Sequence, residues 1–384
     1  MKKILITIIS IVLLMIVALL FTGNSHILVG ISKTWLLGKS KPDIDDMKYF
    51  DLRKIENGDY KPWLKSKNYN KRKLSYSMQN DIDNYGTIAY LVIHNDSIVN
   101  EHYWEEYTDT SYSNSFSMAK SYLSAAIGVA IKEGKIKSVN QKIKDFLPWF
   151  NNSELDKSLT IKSLLTMSSG IDFGESYTNP LGFQAKSYYG TDLRTLVKDF
   201  TLSFKPDSIW KYEGGNSILL GIILETATKQ SISDYFSEKI WSVIGTRKPA
   251  FWNLDKKNGM EKTFSAIYSN ARDFARMGKL YLNRGIWEGK QIISKKYIKE
   301  SVSHIEIRDS SGELCRHYGY HWWLGTYNNK PFFSSIGMRG QYVIVVPEDN
   351  LIVVRLGHDR PQKKVNNLRI DIYSLLEEAY NIIN

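Results

Sequence analysis

The sequence predicts an α/β protein of the α+β type. An antiparallel sheet built from both ends of the body is flanked by helices, with a mostly helical region inserted between them. Three observations carry this. Residues 87–104, TIAYLVIHNDSIVNEHYW, are two strand-like runs around His94-Asn95-Asp96, the pattern of a hairpin. Residues 341–357, QYVIVVPEDNLIVVRLG, form a second such pair turning at Pro347–Asn350. Between the two, apolar residues recur at helical spacing in segment after segment.

The chain opens with MKKILITIISIVLLMIVALLFTG. Lys2 and Lys3 precede an apolar run from Ile4 to Phe21, long enough to span a bilayer at helical rise. The run exceeds a usual signal-peptide core, and no A-x-A site or cysteine follows it. An uncleaved signal anchor over residues 1–23 is therefore expected, with a cleaved signal as the second reading. The basic N-terminus favours an inside start and a catalytic body outside the cytoplasm, although Lys33, Lys39 and Lys41 on the far side oppose that bias.

Residues 24–85 are polar and turn-prone and read as a tether and outer irregular segment, with a short helix over Leu74–Asn84. The body is expected over 86–384, its helical region spanning about 135–312. Ser117–Lys132 is an amphipathic helix stopped by Gly134. Further helices are expected over Ile161–Met167, Asp192–Thr201, Ser217–Thr228, Ser233–Val243 and Ala271–Asn283, the last capped by Asn270. Val365–Ile383 is the closing amphipathic helix.

The bulk properties narrow the functional classes. The chain has 384 residues, 43% of them hydrophobic, enough for a sizeable core. Its net charge is +11, but bases and acids are interleaved and no RNA-binding or zinc-knuckle signature is present, so no nucleic-acid partner is expected. Cys315 is the only cysteine, which excludes an intrachain disulfide and a multi-cysteine metal site. No cofactor or metal is called for.

The chemistry concentrates in NSFSMAKSYLSAAIG, residues 114–128. Ser117 stands at the mouth of a helix and Lys120 follows three residues later, a spacing that places both on one face. A serine hydroxyl is a poor nucleophile until a base takes its proton. A lysine can be that base only when a desolvating cleft or a neighbour sharing its proton keeps it neutral. S-x-x-K occurs once more, at Ser208–Lys211, but in a loop-like stretch after Pro206. The bland alternative is a serine that only caps its helix above a solvated lysine. Two further stretches count against that alternative. Tyr212 precedes Gly214-Gly215 and a helix, where its hydroxyl could relay a proton. SSIGMRGQYVIVV places glycines before a strand whose N–H groups could face a developing oxyanion.

Together these pieces resemble the penicillin-recognising serine hydrolases, in the class C β-lactamase and esterase group, and most nearly the 6-aminohexanoate-dimer hydrolase-like proteins. The resemblance covers roughly Gly86 to the C-terminus. It rests on SMAK (Ser117–Lys120), LLTMSSGIDF (Leu164–Phe173), YEGGNSILLG (Tyr212–Gly221), SNARDFARMGKLYLNRGIWEGKQII (Ser269–Ile293), YGYHWWLG (Tyr318–Gly325) and GMRGQYVIVVPE (Gly337–Glu348), in family order. It implies Ser117 as acyl-forming nucleophile, Lys120 as its base and Tyr212 as proton partner. It implies an oxyanion hole from the N–H of Ser117 and the strand entered at Gly340 and Gln341, with Asn216 among the substrate-binding residues. The chain departs from the family in two places. Position 214 is Gly where many relatives have the Asn of Tyr-x-Asn, and Asn216 lies two residues later. The third motif reads Ser335-Ile336-Gly337 with no cation, leaving Arg339 as a substitute for holding a substrate carboxylate.

The expected activity is cleavage of a small-molecule amide or ester through a Ser117 acyl-enzyme. A Ser-His-Asp hydrolase fits poorly, since no G-x-S-x-G occurs and Gly215–Leu219 fails at its last place. A zinc hydrolase lacks H-E-x-x-H. The non-enzymatic alternative is an inert, envelope-anchored binding protein that keeps the fold.

Overall fold

The computed structural model describes residues 1–384. Its main sheet has seven strands in the spatial order Trp323–Tyr327, Lys330–Gly337, Gln341–Val346, Leu351–Gly357, Thr87–His94, Ser97–Tyr103, Leu64–Lys65. All pairings are antiparallel except the last, where Leu64 aligns in parallel with Ser97. Both predicted hairpins form. The first turns through Asn95 and Asp96, both at positive φ, as the twist of a two-residue hairpin requires. The second turns through Pro347–Asp349 and a left-handed Asn350. The C-terminal hairpin joins the N-terminal one edge to edge, Val353 opposite Val92.

The sheet is covered on both faces, which is why its central strands are apolar throughout rather than alternating. Tyr90, Val92, Tyr342, Ile344 and Val353 point to one side, where Tyr76–Tyr85 and the closing helix pack on them. Leu91, Ile93, Val343, Val345 and Ile352 point to the other, against Ala271–Leu282 and the main core. Asn270 caps that helix as expected, its side chain accepting from Asp273 N. The helical region contributes Ala119–Lys132 and Gly215–Thr228, packed on each other and almost wholly buried.

Three elements differ from expectation. The closing helix begins at Ile370, not Val365, because Lys364–Val365 first pairs with Leu368–Arg369 through Asn366 and Asn367 at positive φ. The Ser233–Val243 segment is an α-turn over Ile232–Phe236 followed by a π-turn over Ser237–Trp241. A second, four-stranded sheet joins Leu52–Ile55, Ala250–Asn253, Ile267–Ser269 and Ser113–Asn114. Strands this short carry too few residues to show a period of two. Its first strand and the helix His26–Lys33 give residues 24–85 more regular structure than a tether requires.

Candidate active site

Ser117 lies in a 3₁₀ turn, Phe116–Met118, that runs directly into the Ala119–Lys132 helix. The turn is held from outside the helix. Phe116 adopts φ 44°, a left-handed conformation costly for a bulky side chain. Asn114 Oδ1 accepts from Phe116 N at 2.8 Å, Ser115 N donates to Ile267 O at 2.8 Å, and Ala266 N donates to Phe116 O at 3.2 Å. The second sheet thus supplies the scaffold that fixes the serine.

Lys120 is buried beneath it, 2% exposed. Its Nζ lies 3.0 Å from Ser117 Oγ and 2.6 Å from the Phe264 carbonyl oxygen. The carbonyl aims the amine at the serine, and no carboxylate bonds to it. Tyr212 is brought to the same place: Lys120 Nζ stands 5.1 Å from its ring centroid. The ring packs against Trp323 at 5.3 Å and Tyr318 at 6.0 Å, the residue is half-buried, and its hydroxyl makes no protein hydrogen bond. The second S-x-x-K pair does not meet. Its middle residues are a strand, Lys211 pairs with Asp172 at 2.6 Å, and Ser208 bonds to Lys205 O.

Ser117 and Lys120 face a cavity of about 620 Å³. Gly340, Gln341 and Asn216 do not line it, and neither does Tyr212, which approaches the pair from beside Lys120. The Gln341 amide is bonded to Gly357 on both its atoms, and Gly340 sits against the Arg355 guanidinium. Asn216 is buried, donating to Glu213 O at 3.2 Å and to Met167 Sδ. The reason lies in the chain reversal at Met338–Gly340. Both strands at this reversal approach the serine turn, the outgoing one along more of its length, and Met338 is the cavity residue from this corner. Arg339 is also turned away. It donates to Pro42 O and His358 O, both at 2.6 Å, and fastens the N-terminal segment to the sheet.

Sequence reasoning missed Glu175. Its carboxylate lines the cavity and accepts from Gly214 N, and a Cβ at Gly214 would stand 3.3 Å from its Oε2. The carboxylate therefore fills space beside residue 214 that a larger side chain there would claim. Burial pushes its pKa up, while the Lys120 charge and the Gly214 N–H pull it down. Behind Lys120 lies His321, buried, with its ring 3.0 Å from Ser217 Oγ and 3.5 Å from Tyr318 OH. Burial, helped by the Lys120 charge, pushes it down to about 3, so this histidine is neutral and structural.

Known proteins share the family and the fold. Residues 78–374 match the Beta-lactamase family model. The 6-aminohexanoate-dimer hydrolase of Paenarthrobacter ureafaciens is 23% identical over 291 residues, 70% of this chain and 72% of that protein. An uncharacterized protein of Alkalihalophilus pseudofirmus is 26% identical over 301 residues, 69% of this chain and 81% of that protein. Among solved structures, a Bacillus anthracis protein proposed to be a 6-aminohexanoate-dimer hydrolase superposes with a TM-score of 0.73 at 21% identity, covering 88% of this chain and 91% of its own. The fold, the order of the motifs and a match over most of the body together place this chain in the Beta-lactamase family of hydrolases.

Proposed function

We propose that the protein cleaves an amide or ester through an acyl-enzyme on Ser117. The observation that carries this reading is the buried amine of Lys120, 3.0 Å from Ser117 Oγ at the wall of a cavity. In the neutral form, Lys120 donates one N–H to Phe264 O and takes the Ser117 hydroxyl proton on its lone pair. Ser117 Oγ then adds to the substrate carbonyl. The N–H groups of Ser117 and Met338 are the donors best placed for the resulting oxyanion, in place of those at Gly340 and Gln341. Tyr212, beside Lys120 with a free hydroxyl, passes the proton to the leaving amine or alcohol as the C–N or C–O bond breaks. Water adds to the acyl-enzyme by the same route reversed. Arg339 is committed to Pro42 and His358, and the third motif, Ser335-Ile336-Gly337, carries no cation of its own, which favours esters and simple amides over penicillins.

The helix Lys2–Phe21 is long and apolar enough to cross a membrane, and none of it is buried against the body. A signal sequence passes the same test. We take it as an anchor holding the catalytic body outside the cytoplasm.

Intact mass after exposure to a fluorophosphonate, and separately to a penicillin, tests the reading. A phosphonate adduct absent from Ser117→Ala is expected, with little or none from penicillin. A folded wild-type protein that takes no adduct would leave the inert binding protein as the better account.

A further inference from the structure

The wall of the cavity opposite the sheet comes from the segment that follows the anchor. The anchor ends at Phe21, and the helix His26–Lys33 begins after four residues. The link is compact: Asn24 N bonds to Leu19 O at 2.9 Å, and Leu28 N to Ser25 O at 3.0 Å. Even fully extended, four residues reach only about 14 Å. The second helix is seated on Phe183–Tyr189. Gly30 lies flat on the Tyr189 ring, where a Cβ would come within 3.2 Å, and the His26 ring bonds to Pro180 O at 2.9 Å. Ile27, Ile31 and Trp35 from this segment line the same cavity as Ser117. His26 faces the cavity too, and burial pushes its pKa down, away from the charged form.

The outer lip of this wall is apolar and uncovered. Trp35 is 74% exposed and Leu36 75%, with Ile31 and Leu37 beside them and Tyr177 and Leu181 exposed on the facing loop. An apolar lip this close to the end of a helix long and apolar enough to cross a membrane suits the bilayer interface, where tryptophan is favoured.

We infer that the hydrolase takes its substrate from the membrane: a long-chain acyl ester or amide of a bilayer-resident amphiphile, which enters over the Trp35–Leu37 lip with its chain along Ile27 and Ile31 and its carbonyl at Ser117. This rests on the serine-hydrolase reading and on the anchor remaining attached. The step is acyl transfer to Ser117 with release of the polar alcohol or amine, followed by hydrolysis to the free acid, so water is the only co-reactant.

The test uses the full chain reconstituted in phosphatidylglycerol–phosphatidylcholine vesicles and p-nitrophenyl esters from acetyl to decanoyl, with fluorophosphonate labelling of Ser117 run in parallel. Wild-type kcat/KM is expected to rise at least tenfold from the acetyl to the decanoyl ester. Ile31→Asp, at a partly exposed position, is expected to reduce that decanoyl-to-acetyl ratio at least fivefold, which separates binding in the cavity from simple partitioning of the ester into lipid. A labelled enzyme with a flat or falling series, or a ratio unmoved by Ile31→Asp, overturns the membrane-substrate inference and leaves the hydrolase standing. Absence of labelling removes the hydrolase reading and this inference with it.

Discussion

Gly337 abuts Ser115 so closely that a Cβ on the glycine would overlap the serine's carbonyl oxygen. This contact joins the end of the Lys330–Gly337 strand to the turn that presents Ser117, and sets how near Met338 comes to the nucleophile. Gly337→Ala must push strand and turn apart. Overpacking of this kind costs about 1–3 kcal/mol, and a displacement near 1 Å at a reacting centre costs about 100-fold in rate. Phosphonate labelling of Gly337→Ala is expected to slow at least tenfold while its circular dichroism spectrum stays that of the wild type.

Lys120 contributes both proton transfer and the occupant of a buried polar niche. Lys120→Met keeps the apolar stem but leaves Phe264 O without its donor. Turnover of a p-nitrophenyl ester is expected to fall by about 10²–10⁴, the usual scale for loss of a general base. Lys120→Arg should not restore it, since a guanidinium stays charged and cannot take the proton.

Tyr212→Phe separates the hydroxyl from the ring. The ring's packing on Trp323 and Tyr318 is kept, so the melting temperature is expected to move by no more than a degree or two, about the effect of a few tenths of a kcal/mol in a chain of this size. kcat is expected to drop by about 100-fold or more. A drop smaller than about threefold would remove Tyr212 from the proton path.

His321 makes stability depend on pH. Its folded pKa of about 3 lies below the ordinary value near 6.5, so between those limits the unfolded chain binds a proton that the folded chain does not. Its stabilising contribution is therefore whole above about pH 6.5 and declines as pH falls toward 3, by about 1.4 kcal/mol per pH unit at most. Urea midpoints measured from pH 7 to 4.5 should fall more gently in His321→Gln than in the wild type.

The legible parts of this protein are those set by residues close together in the chain. Ser117 and Lys120 meet because three residues along a helix bring two side chains to one face, and the surrounding burial only completes the pair. Each hairpin announced itself through its turn, Asn95-Asp96 and Pro347–Asn350, since the conformations needed there are open to few residues. Tyr212 could be chosen from the glycines after it and from the resemblance to a family, but its place beside Lys120 depends on Trp323 and Tyr318, more than a hundred residues further on.

The sequence by itself determined the sheet from two distant hairpins, the serine–lysine pair and the apolar span at the N-terminus, because each is written in local periodicity or turn chemistry. Tertiary structure alone decided that Met338 rather than Gly340 or Gln341 faces the cavity and that Asn216 lies away from it. It also decided that Arg339 ties down Pro42, that Glu175 occupies the space beside Gly214, and that His26–Trp35 walls the site. Each of these depends on how far-separated segments approach one another, and side-chain direction at a chain reversal or a segment junction is set by that packing, not by the neighbours in sequence.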